Sequence, residues 1–139
     1  MAKSFYEQYW THGIDQWRPH GLNVTPIERT LISRNIERGM SVLEIGCGDG
    51  RIADLVKETE AEYTGIDISE EAVRFCRARG HIAIVHDVAE PLPFNSETFD
   101  AVVIFEVLEH LILPEKCLNE ARRVLRPGGV IIGSVPNVA

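Results

Sequence analysis

Three glycines and an acidic residue interrupt the stretch VLEIGCGDGRIADLV, between an apolar run and an amphipathic segment. Glycines in a turn between a strand and a helix let the backbone approach a ligand, which is ordinarily a phosphate at the helix N-terminus. Here Gly46, Gly48 and Gly50 depart from the dinucleotide pattern G-x-G-x-x-G, because the third glycine comes one residue early. Asp49 in the turn and Glu44 before it would repel a phosphate in a cleft of low dielectric constant. The turn therefore favours a ligand without phosphate at this point, ideally one with a positive charge.

Further carboxylates follow at the ends of the next predicted strands. Asp67 ends the second strand, and an acid about 20 residues after the first glycine is where a ribose diol is bound. Asp87 ends the third predicted strand and Glu106 the fourth. Because the carboxyl ends of parallel strands meet at one edge of the sheet, these carboxylates converge on one cleft, which suits a nucleoside with a cationic tail. Asp87 also has a simpler interpretation, since a loop acid can close an Asx-turn.

The segment EVLEH allows a second kind of chemistry. Glu106, Glu109 and His110 have i, i+3, i+4 spacing, so they share one face if the segment is helical. Two carboxylates and an imidazole can bind a divalent metal ion. In the alternative, which we favour, no metal binds, Glu109 and His110 orient the loop, and His110 contacts substrate or acts as a general base.

The predicted elements that position these residues alternate along the chain. Helices are predicted at 25–39, 50–59, 69–80 and 114–129, and strands at 41–46, 61–68, 81–87, 100–108 and 130–136. The first helix starts with a capping box from Thr25 to Glu28, and Gly39 ends it. The strand cores VLEI, AVVIF and VIIG are continuously apolar, as in parallel strands covered on both faces. This alternation predicts an α/β fold with a doubly wound, mostly parallel sheet.

Length and composition limit the classes of protein to consider. With 139 residues, 45% of them hydrophobic, the chain is predicted to form one domain over 25–139, preceded by a covering segment at 1–24. The net charge of −7 and the scattered basic residues argue against a nucleic-acid or membrane partner. No membrane span or signal peptide is recognisable. Three widely spaced cysteines, Cys47, Cys76 and Cys117, favour reduced thiols in a cytoplasmic protein.

The first 24 residues are rich in aromatic side chains, with Phe5, Tyr6, Tyr9, Trp10 and Trp17 among them. One interpretation is a segment that closes over a bound ligand, with Tyr6, Tyr9, Trp10 and His12 as the lid residues. The other is ordinary packing against the sheet.

Five segments carry a resemblance to a known family. VLEIGCGDG, GIDIS, HDVAEPLPF, FDAVVIFEVLEHL and LRPGGVIIGSVPN occur in the order and spacing of the class I S-adenosylmethionine-dependent methyltransferases. The chain most resembles the small-molecule, ubiquinone-biosynthesis-type group, over about residues 37 to 137. The resemblance implies a Rossmann-like fold, S-adenosylmethionine as the cofactor and S-adenosylhomocysteine as its product.

The resemblance also implies positions for the cofactor. These are Glu44, Gly46, Cys47, Gly48, Gly50, Asp67, Ile68, Asp87, Val88 and Phe105. Glu44 and the turn at 46–50 would face the methionine moiety and its ammonium. Asp67 would bind the ribose hydroxyls, with Ile68 against the adenine. The thiol of Cys47 is interpreted as structural, since the turn depends on its glycines.

The remaining implied positions follow the third and fourth predicted strands. Asp87 would take the adenine amino group, with Val88 beside it. Glu106 and Phe105 would border the transferable methyl group. We therefore predict Glu106 and His110 as the catalytic residues, with His110 needed as a base only if the acceptor must lose a proton.

The predicted activity is transfer of a methyl group in line to an O, N or C atom of a small-molecule acceptor. Holding acceptor and sulfonium in near-attack geometry can supply about 7–11 kcal/mol. One rival is a domain that binds the cofactor without catalysis. A second rival is a metal-dependent RNA 3′-end methyltransferase, because that family has an E-x-x-E-H segment very similar to EVLEH. That family needs a further histidine downstream, and this chain has none after His110. An NAD dehydrogenase fits least, because of Asp49 and the early glycine.

The chain stops soon after its fifth predicted strand. Members of the resembled family continue with a helix and two more strands, so we expect a sheet that lacks these two strands. An apolar strand such as VIIGSV at a free edge is an association hazard. We therefore expect a fragment of a longer protein. The alternative is a partner, such as a second copy in a homodimer, that covers the edge of the fifth strand.

Overall fold

The computed structural model describes Lys3, Glu7 and residues 24–137. The strands are β1 (Ser41–Ile45), β2 (Glu62–Asp67), β3 (Ile82–Val85), β4 (Phe99–Phe105) and β5 (Leu125–Ser134). The helices are α1 (Pro26–Asn35), α2 (Arg51–Glu58), α3 (Glu70–Ala78) and α4 (Pro114–Val124), with a 3-10 turn at Leu108–His110. All neighbouring strands pair in parallel, in the order β3-β2-β1-β4-β5. The predicted α/β fold is therefore confirmed. Among the described helices, none has the length and apolar character that crossing a membrane requires.

The sheet reverses its direction of growth at its centre. From β1 the chain builds outward to β2 and β3, then returns to place β4 on the other side of β1. In open sheets of this kind, ligands bind outside the carboxyl ends of the strands at this switch point. The glycine turn follows β1 directly, so it lies at this point.

Both faces of the sheet are covered, which explains the continuously apolar strands. On one face, Val42 and Val103 pack with Ile32 of α1 and Val56 of α2. A neighbouring cluster, on the side of the sheet that α1 and α2 cover, joins α3 to β3. On the other face, α4 covers a second core, formed among others by Leu43, Ile45, Ile66, Val102 and Ile104.

Helix α1 starts as predicted and ends sooner. The Thr25 hydroxyl accepts a hydrogen bond from the Glu28 amide, and the Glu28 carboxylate accepts one from the Thr25 amide, both at 3.1 Å. This confirms the capping box. The helix does not reach Gly39, because Ile36 is extended and buried in the core instead.

The junction between α4 and β5 corrects the predicted helix at 114–129. The helix ends at Val124, and β5 starts with the next residue. Phe99 pairs with Leu125 while Ala101 already pairs with Val130, so the intervening residues form a bulge. Pro127, which has no amide hydrogen, and Gly128, at φ +82°, lie in this bulge. The helix cannot continue through these two residues.

Candidate functional site

The glycine turn has a backbone that only glycine adopts easily. Gly46, Gly48 and Gly50 have φ values of +78°, +53° and +94°. The amides of Gly46 and Cys47 both donate to the carbonyl oxygen of Ile66, at 2.8 and 2.9 Å, which ties the turn to β2. Gly50 then caps α2 without any side-chain hydrogen bond. The turn is thus fixed by backbone contacts across the carboxyl ends of β1 and β2.

Gly46 also has no room for a side chain. A Cβ atom at this position would lie 2.4 Å from Cγ2 of Val107, in the segment after β4. Val107 therefore packs on the turn and connects the ends of β1 and β4. No pattern in the sequence marked Val107, because the contact joins segments that are far apart in the chain.

Asp67 lies beside the turn at the end of β2, as predicted. Its Oδ2 accepts a hydrogen bond from the Gly48 amide at 3.0 Å, and its Oδ1 accepts one from the Ser69 amide at 2.9 Å. Burial raises the pKa of the Asp67 carboxyl group above its ordinary value, although these amides counteract the effect. Ile68, the next residue, is half-buried. The structure therefore brings Asp67, Ile68 and the glycine turn together.

Glu44 lies inside the core and has a partner there. Only 3% of Glu44 is exposed, and the Tyr63 hydroxyl donates a hydrogen bond of 2.6 Å to its carboxylate. Burial raises the pKa of Glu44 well above its ordinary value of 4.5. Sequence reasoning did not identify Tyr63, whose position two residues before Gly65 on β2 gave no functional signal. An isolated charge at this place would gain strongly from a nearby cation.

Cys47 turns its thiol into the protein. Cys47 and Cys76 are buried in one cluster, and the hydrogen bond between their thiols raises the pKa of Cys47 and lowers that of Cys76. Gly65 makes room for this contact, since a Cβ atom there would lie 2.7 Å from the Cys47 Cβ and from the Tyr63 hydroxyl. The side chain of Cys47 therefore supports the turn from the core side.

Charges next to the turn are paired. Arg79, which caps the end of α3, lies 3.9 Å from Asp49 and forms an ion pair with Asp54 of α2. Asp54 also bonds to Nε2 of the buried His81 at 2.7 Å. Burial lowers the pKa of His81, and the charges of Lys57 and Arg79 act in the same direction. This network fixes the ends of α2 and α3 around the turn.

The segment after β3 carries Asp87 and Val88. The strand ends at Val85, so the predicted strand at 81–87 was too long by two residues at its end. Asp87 is exposed, and its Oδ1 accepts a hydrogen bond from the Ala89 amide at 2.9 Å. This is the Asx-turn weighed above. Val88 packs partly against the core on the α4 side.

At the end of β4, the buried Phe105 is followed by the exposed Glu106. Phe105 is 7% exposed and packs in the core with Ile132. Glu106 is exposed and adopts φ +55°, which is uncommon for a residue with a side chain. Its amide donates to the Ser134 carbonyl oxygen at 3.0 Å. Partial loss of solvent around its carboxyl group raises the pKa of Glu106, and the charge of Glu109 adds to the effect.

The EVLEH segment is not an α-helix. Residues Leu108–His110 form a single 3-10 turn, in which Nε2 of His110 lies 3.5 Å from Oε1 of Glu109. The predicted strand at 100–108 therefore ends at Phe105. Within residues 24–137, together with Lys3 and Glu7, no group of three or more His, Cys, Asp or Glu side chains is arranged to hold a metal ion.

Arg123 has a structural role that the sequence did not indicate. In the structure its guanidinium donates to the carbonyl oxygens of Leu92 and Phe94, at 3.1 and 2.9 Å, and to the carboxylate of Glu120. Glu120 in turn accepts from the Leu92 amide at 2.7 Å. Arg123 and Glu120 therefore anchor the loop between β3 and β4.

The proposed lid residues Tyr6, Tyr9, Trp10 and His12 lie outside the described part of the chain. Two neighbours of theirs are described. The Glu7 carboxylate accepts a hydrogen bond of 2.5 Å from the Glu70 amide, and Lys3 lies 3.2 Å from the Glu70 carboxylate. These contacts place Lys3 and Glu7 at the N-terminus of α3, close to Asp67.

Comparison with known proteins agrees with this geometry. The profile of a family described as "Methyltransferase domain" matches residues 43–133. A probable S-adenosylmethionine-dependent methyltransferase of Mycolicibacterium smegmatis is 42% identical over 71% of this chain and 39% of its own length. A ubiquinone biosynthesis O-methyltransferase of Roseobacter denitrificans is 33% identical over 79% of this chain and 46% of its own length.

Solved structures show the same fold. A Haloferax volcanii protein in complex with a methyltransferase activator superposes with a TM-score of 0.81, at 25% identity, over 94% of this chain and 59% of its own. This chain therefore spans about half the length of the relatives it matches. Its profile match, its identity to S-adenosylmethionine-dependent enzymes and its parallel sheet with a glycine turn lead to one assignment: the chain belongs to the class I S-adenosylmethionine-dependent methyltransferases.

Proposed function

We propose that this chain binds S-adenosylmethionine at the carboxyl edge of its sheet and transfers the methyl group to a small-molecule acceptor. The observation that carries the proposal is the position of Asp67. Its half-buried carboxylate joins the end of β2 to the glycine turn after β1. Because burial disfavours its charge, this carboxylate gains from further hydrogen-bond donors, such as the hydroxyls of a ribose.

The other cofactor contacts follow the same edge. We assign the ribose to Asp67 and one side of the adenine to Ile68. Asp87 and Val88 would border the adenine amino group, and the existing Asx-turn holds Asp87 in place. Glu44 and the turn would face the methionine moiety and its ammonium. The acidic residues fit this group, because it carries positive charge and no phosphate.

At the end of β4 the chain would shape the reacting pair. Bound S-adenosylmethionine supplies a methyl group on a positively charged sulfur. Glu106 borders this methyl group in our assignment, and Phe105 forms the apolar wall behind it. Glu106 and Phe105 would act mainly by orienting the methyl group towards the acceptor and by excluding water from them. His110, whose side chain is half exposed beside Glu109, would take a proton where the acceptor must lose one.

A small acceptor suits the surface better than a nucleic acid. Arginines that would otherwise contact phosphates form ion pairs with carboxylates of the chain: Arg29, Arg38, Arg74, Arg79, Arg123 and Arg126. The three free, buried cysteines support a reducing, cytoplasmic location as part of the proposal.

A second copy of the chain could cover β5. Among the described strands β5 pairs only with β4, and Val130 and Ile131 are partly exposed along it. An apolar edge of this kind favours pairing with another strand. Sedimentation would reveal a dimer, which Ile131→Lys should dissociate if the edge is the interface.

Calorimetric titration tests the cofactor assignment. We expect micromolar binding of S-adenosylmethionine and S-adenosylhomocysteine, no binding of NAD, and loss of binding in Asp67→Ala. Glu62→Ala, at the opposite end of β2, is the matched control and should bind as the unmodified chain does. Equal affinities in the Asp67 and Glu62 variants would refute the role of Asp67. Binding without turnover on any acceptor would favour the rival, non-catalytic function.

A further inference from the structure

A cavity of about 410 Å³ lies at the edge of the sheet where β4 and β5 start, opposite the edge that carries the glycine turn. The bulge of β5 lines one side of it, and the end of α4 and the turn before β4 line the other. Glu97, Arg122, Arg126, Gly128 and Gly129 are among its lining residues. The volume is within the range of small-molecule sites, about 300–1,000 Å³. None of these residues belongs to the proposed cofactor site, so the cavity is separate from it.

Two glycines shape the bulge side of the cavity. Gly128 has a φ of +82°, which a side chain would strain. At Gly129 a Cβ atom would lie 2.9 Å from the carbonyl oxygen of Arg126 and 3.0 Å from that of Asp100, so the bulge has no room for one. Bulges are frequent next to binding sites, because they bend a strand and leave backbone groups without a partner. This side of the cavity is therefore lined by backbone and not filled by side chains.

Backbone hydrogen bonds hold Glu97 on the other side of the cavity. Its amide donates to the carbonyl oxygen of Arg123 at 3.0 Å, and the Thr98 amide donates to that of Val124 at 2.8 Å. These bonds fasten the turn before β4 to the end of α4. Glu97 adopts φ +55°, a conformation that is uncommon for a residue with a side chain and that persists where the surroundings impose it. The turn thus keeps Glu97 on the same cavity as Arg122.

Two of the charged side chains that line the cavity are not engaged by the fold. Arg126 is engaged, because its Nη1 lies 3.0 Å from the Asp100 carboxylate, which also accepts a hydrogen bond of 2.8 Å from the Ser41 amide. Arg122 and Glu97 are exposed, and neither side chain forms an ion pair with the other or with any further residue in the described part of the chain. The cavity therefore offers one positive and one negative group that do not neutralise each other.

These two charges select the class of ligand. A simple anion would be attracted by Arg122 and repelled by Glu97, and a simple cation would meet the opposite pair of forces. A molecule with a carboxylate and an ammonium gains from both, since a guanidinium donates paired hydrogen bonds to a carboxylate and a carboxylate accepts them from an ammonium. We propose that the cavity binds a small zwitterion, an amino acid with a short carbon chain, with its carboxylate on Arg122 and its ammonium on Glu97.

Three probes of equal chain length and different charge test the proposal. γ-Aminobutyrate carries both charges, butyrate carries only the carboxylate, and butylammonium carries only the ammonium. Each is titrated into the isotope-labelled 139-residue chain and followed by the amide NMR signals of Gly128 and Gly129. We expect the zwitterion to shift these signals and to bind at least about tenfold more tightly than either other probe, the preference typical of one charge-assisted hydrogen bond.

Two variants and their controls assign the charges. Arg122→Gln should bind γ-aminobutyrate no more tightly than butylammonium, and Glu97→Gln no more tightly than butyrate. Both side chains are exposed, so both variants should fold. Lys116→Gln and Glu90→Gln remove exposed charges of the same signs outside the cavity and should keep the preference for the zwitterion. Equal binding of the three probes, unshifted glycine signals, or a preference that survives in both cavity variants would overturn the inference. Tighter binding of butyrate than of γ-aminobutyrate would overturn it in favour of a simple anion site.

Discussion

Glu44→Gln tests the most unusual electrostatic feature of the core. Glu44 is only 3% exposed, and its carboxylate accepts a hydrogen bond of 2.6 Å from the Tyr63 hydroxyl. Burial raises the pKa of its carboxyl group, so the folded chain keeps this proton at pH values where the unfolded chain has released it. Glutamine has nearly the same shape and still accepts the hydrogen bond from Tyr63, but it does not titrate.

The sign and size of the effect follow from linkage. Above the unfolded pKa of about 4.3 the unfolded state loses the proton first, so the free energy of unfolding falls as the pH rises towards the folded pKa. The loss is about 1.4 kcal/mol for each pH unit in this window. In Glu44→Gln the side chain does not titrate, so this fall in the free energy of unfolding with pH is absent. Its stability relative to the unmodified chain should therefore increase by about 1.4 kcal/mol per pH unit, or about 5 °C in Tm.

Thermal and urea unfolding between pH 4.5 and 8 measures the difference. The buried amide of glutamine adds a constant penalty of about 1–3 kcal/mol, so the test is the slope of the difference against pH and not its value at one pH. Glu62→Gln, an exposed position on β2, should run parallel to the unmodified chain. If the Glu44 variant also runs parallel, the Glu44 carboxyl group is ionised alike in both states, and the reasoning is refuted.

Two further substitutions test contacts that hold the site together. Gly46→Ala must accommodate φ +78° and a Cβ atom 2.4 Å from Val107, so we expect a loss of about 1–3 kcal/mol in unfolding free energy and of cofactor binding. Adding Val107→Ala should restore part of the stability; no recovery would mean that the steric contact is unimportant. Arg123→Met removes the anchor of the loop before β4, and hydrogen exchange of the Leu92 amide should accelerate by about tenfold. Arg122→Met, an exposed neighbour on α4, should leave that exchange rate unchanged, and equal rates in both variants would contradict the anchoring role.

The fold was predictable because its signals are local. Apolar runs long enough to be buried on both faces predicted the parallel strands, and Thr25 and Ser69 marked helix starts that the structure shows. Element ends were less predictable. Gly39 suggested a longer first helix, yet burial of Ile36 in an extended conformation outweighed local helix propensity.

The candidate site was predictable to the extent that it follows the strand ends. Asp67 and the glycine turn lie together because parallel strands present their carboxyl ends at one edge, which the sequence pattern alone implies. Asp87 was placed in the right segment, but whether its carboxylate closes a turn depends on the Ala89 amide nearby. Glu106, Glu109 and His110 would share one face only if the EVLEH segment were helical. Glu106 at φ +55° and the 3-10 turn at Leu108–His110 rule out an α-helix there.

By itself the sequence determined the order of strands and helices, the position of the glycine turn and the acidic character of the edge. These depend on hydrophobic pattern, on turn chemistry and on residue charge, all of which are local properties. Tertiary structure alone decided the burial of Glu44 beside Tyr63 and the packing of Val107 on the glycine turn at Gly46. Each of these contacts joins segments that are distant in the chain, and the free energy of burial depends on what the whole fold excludes from water.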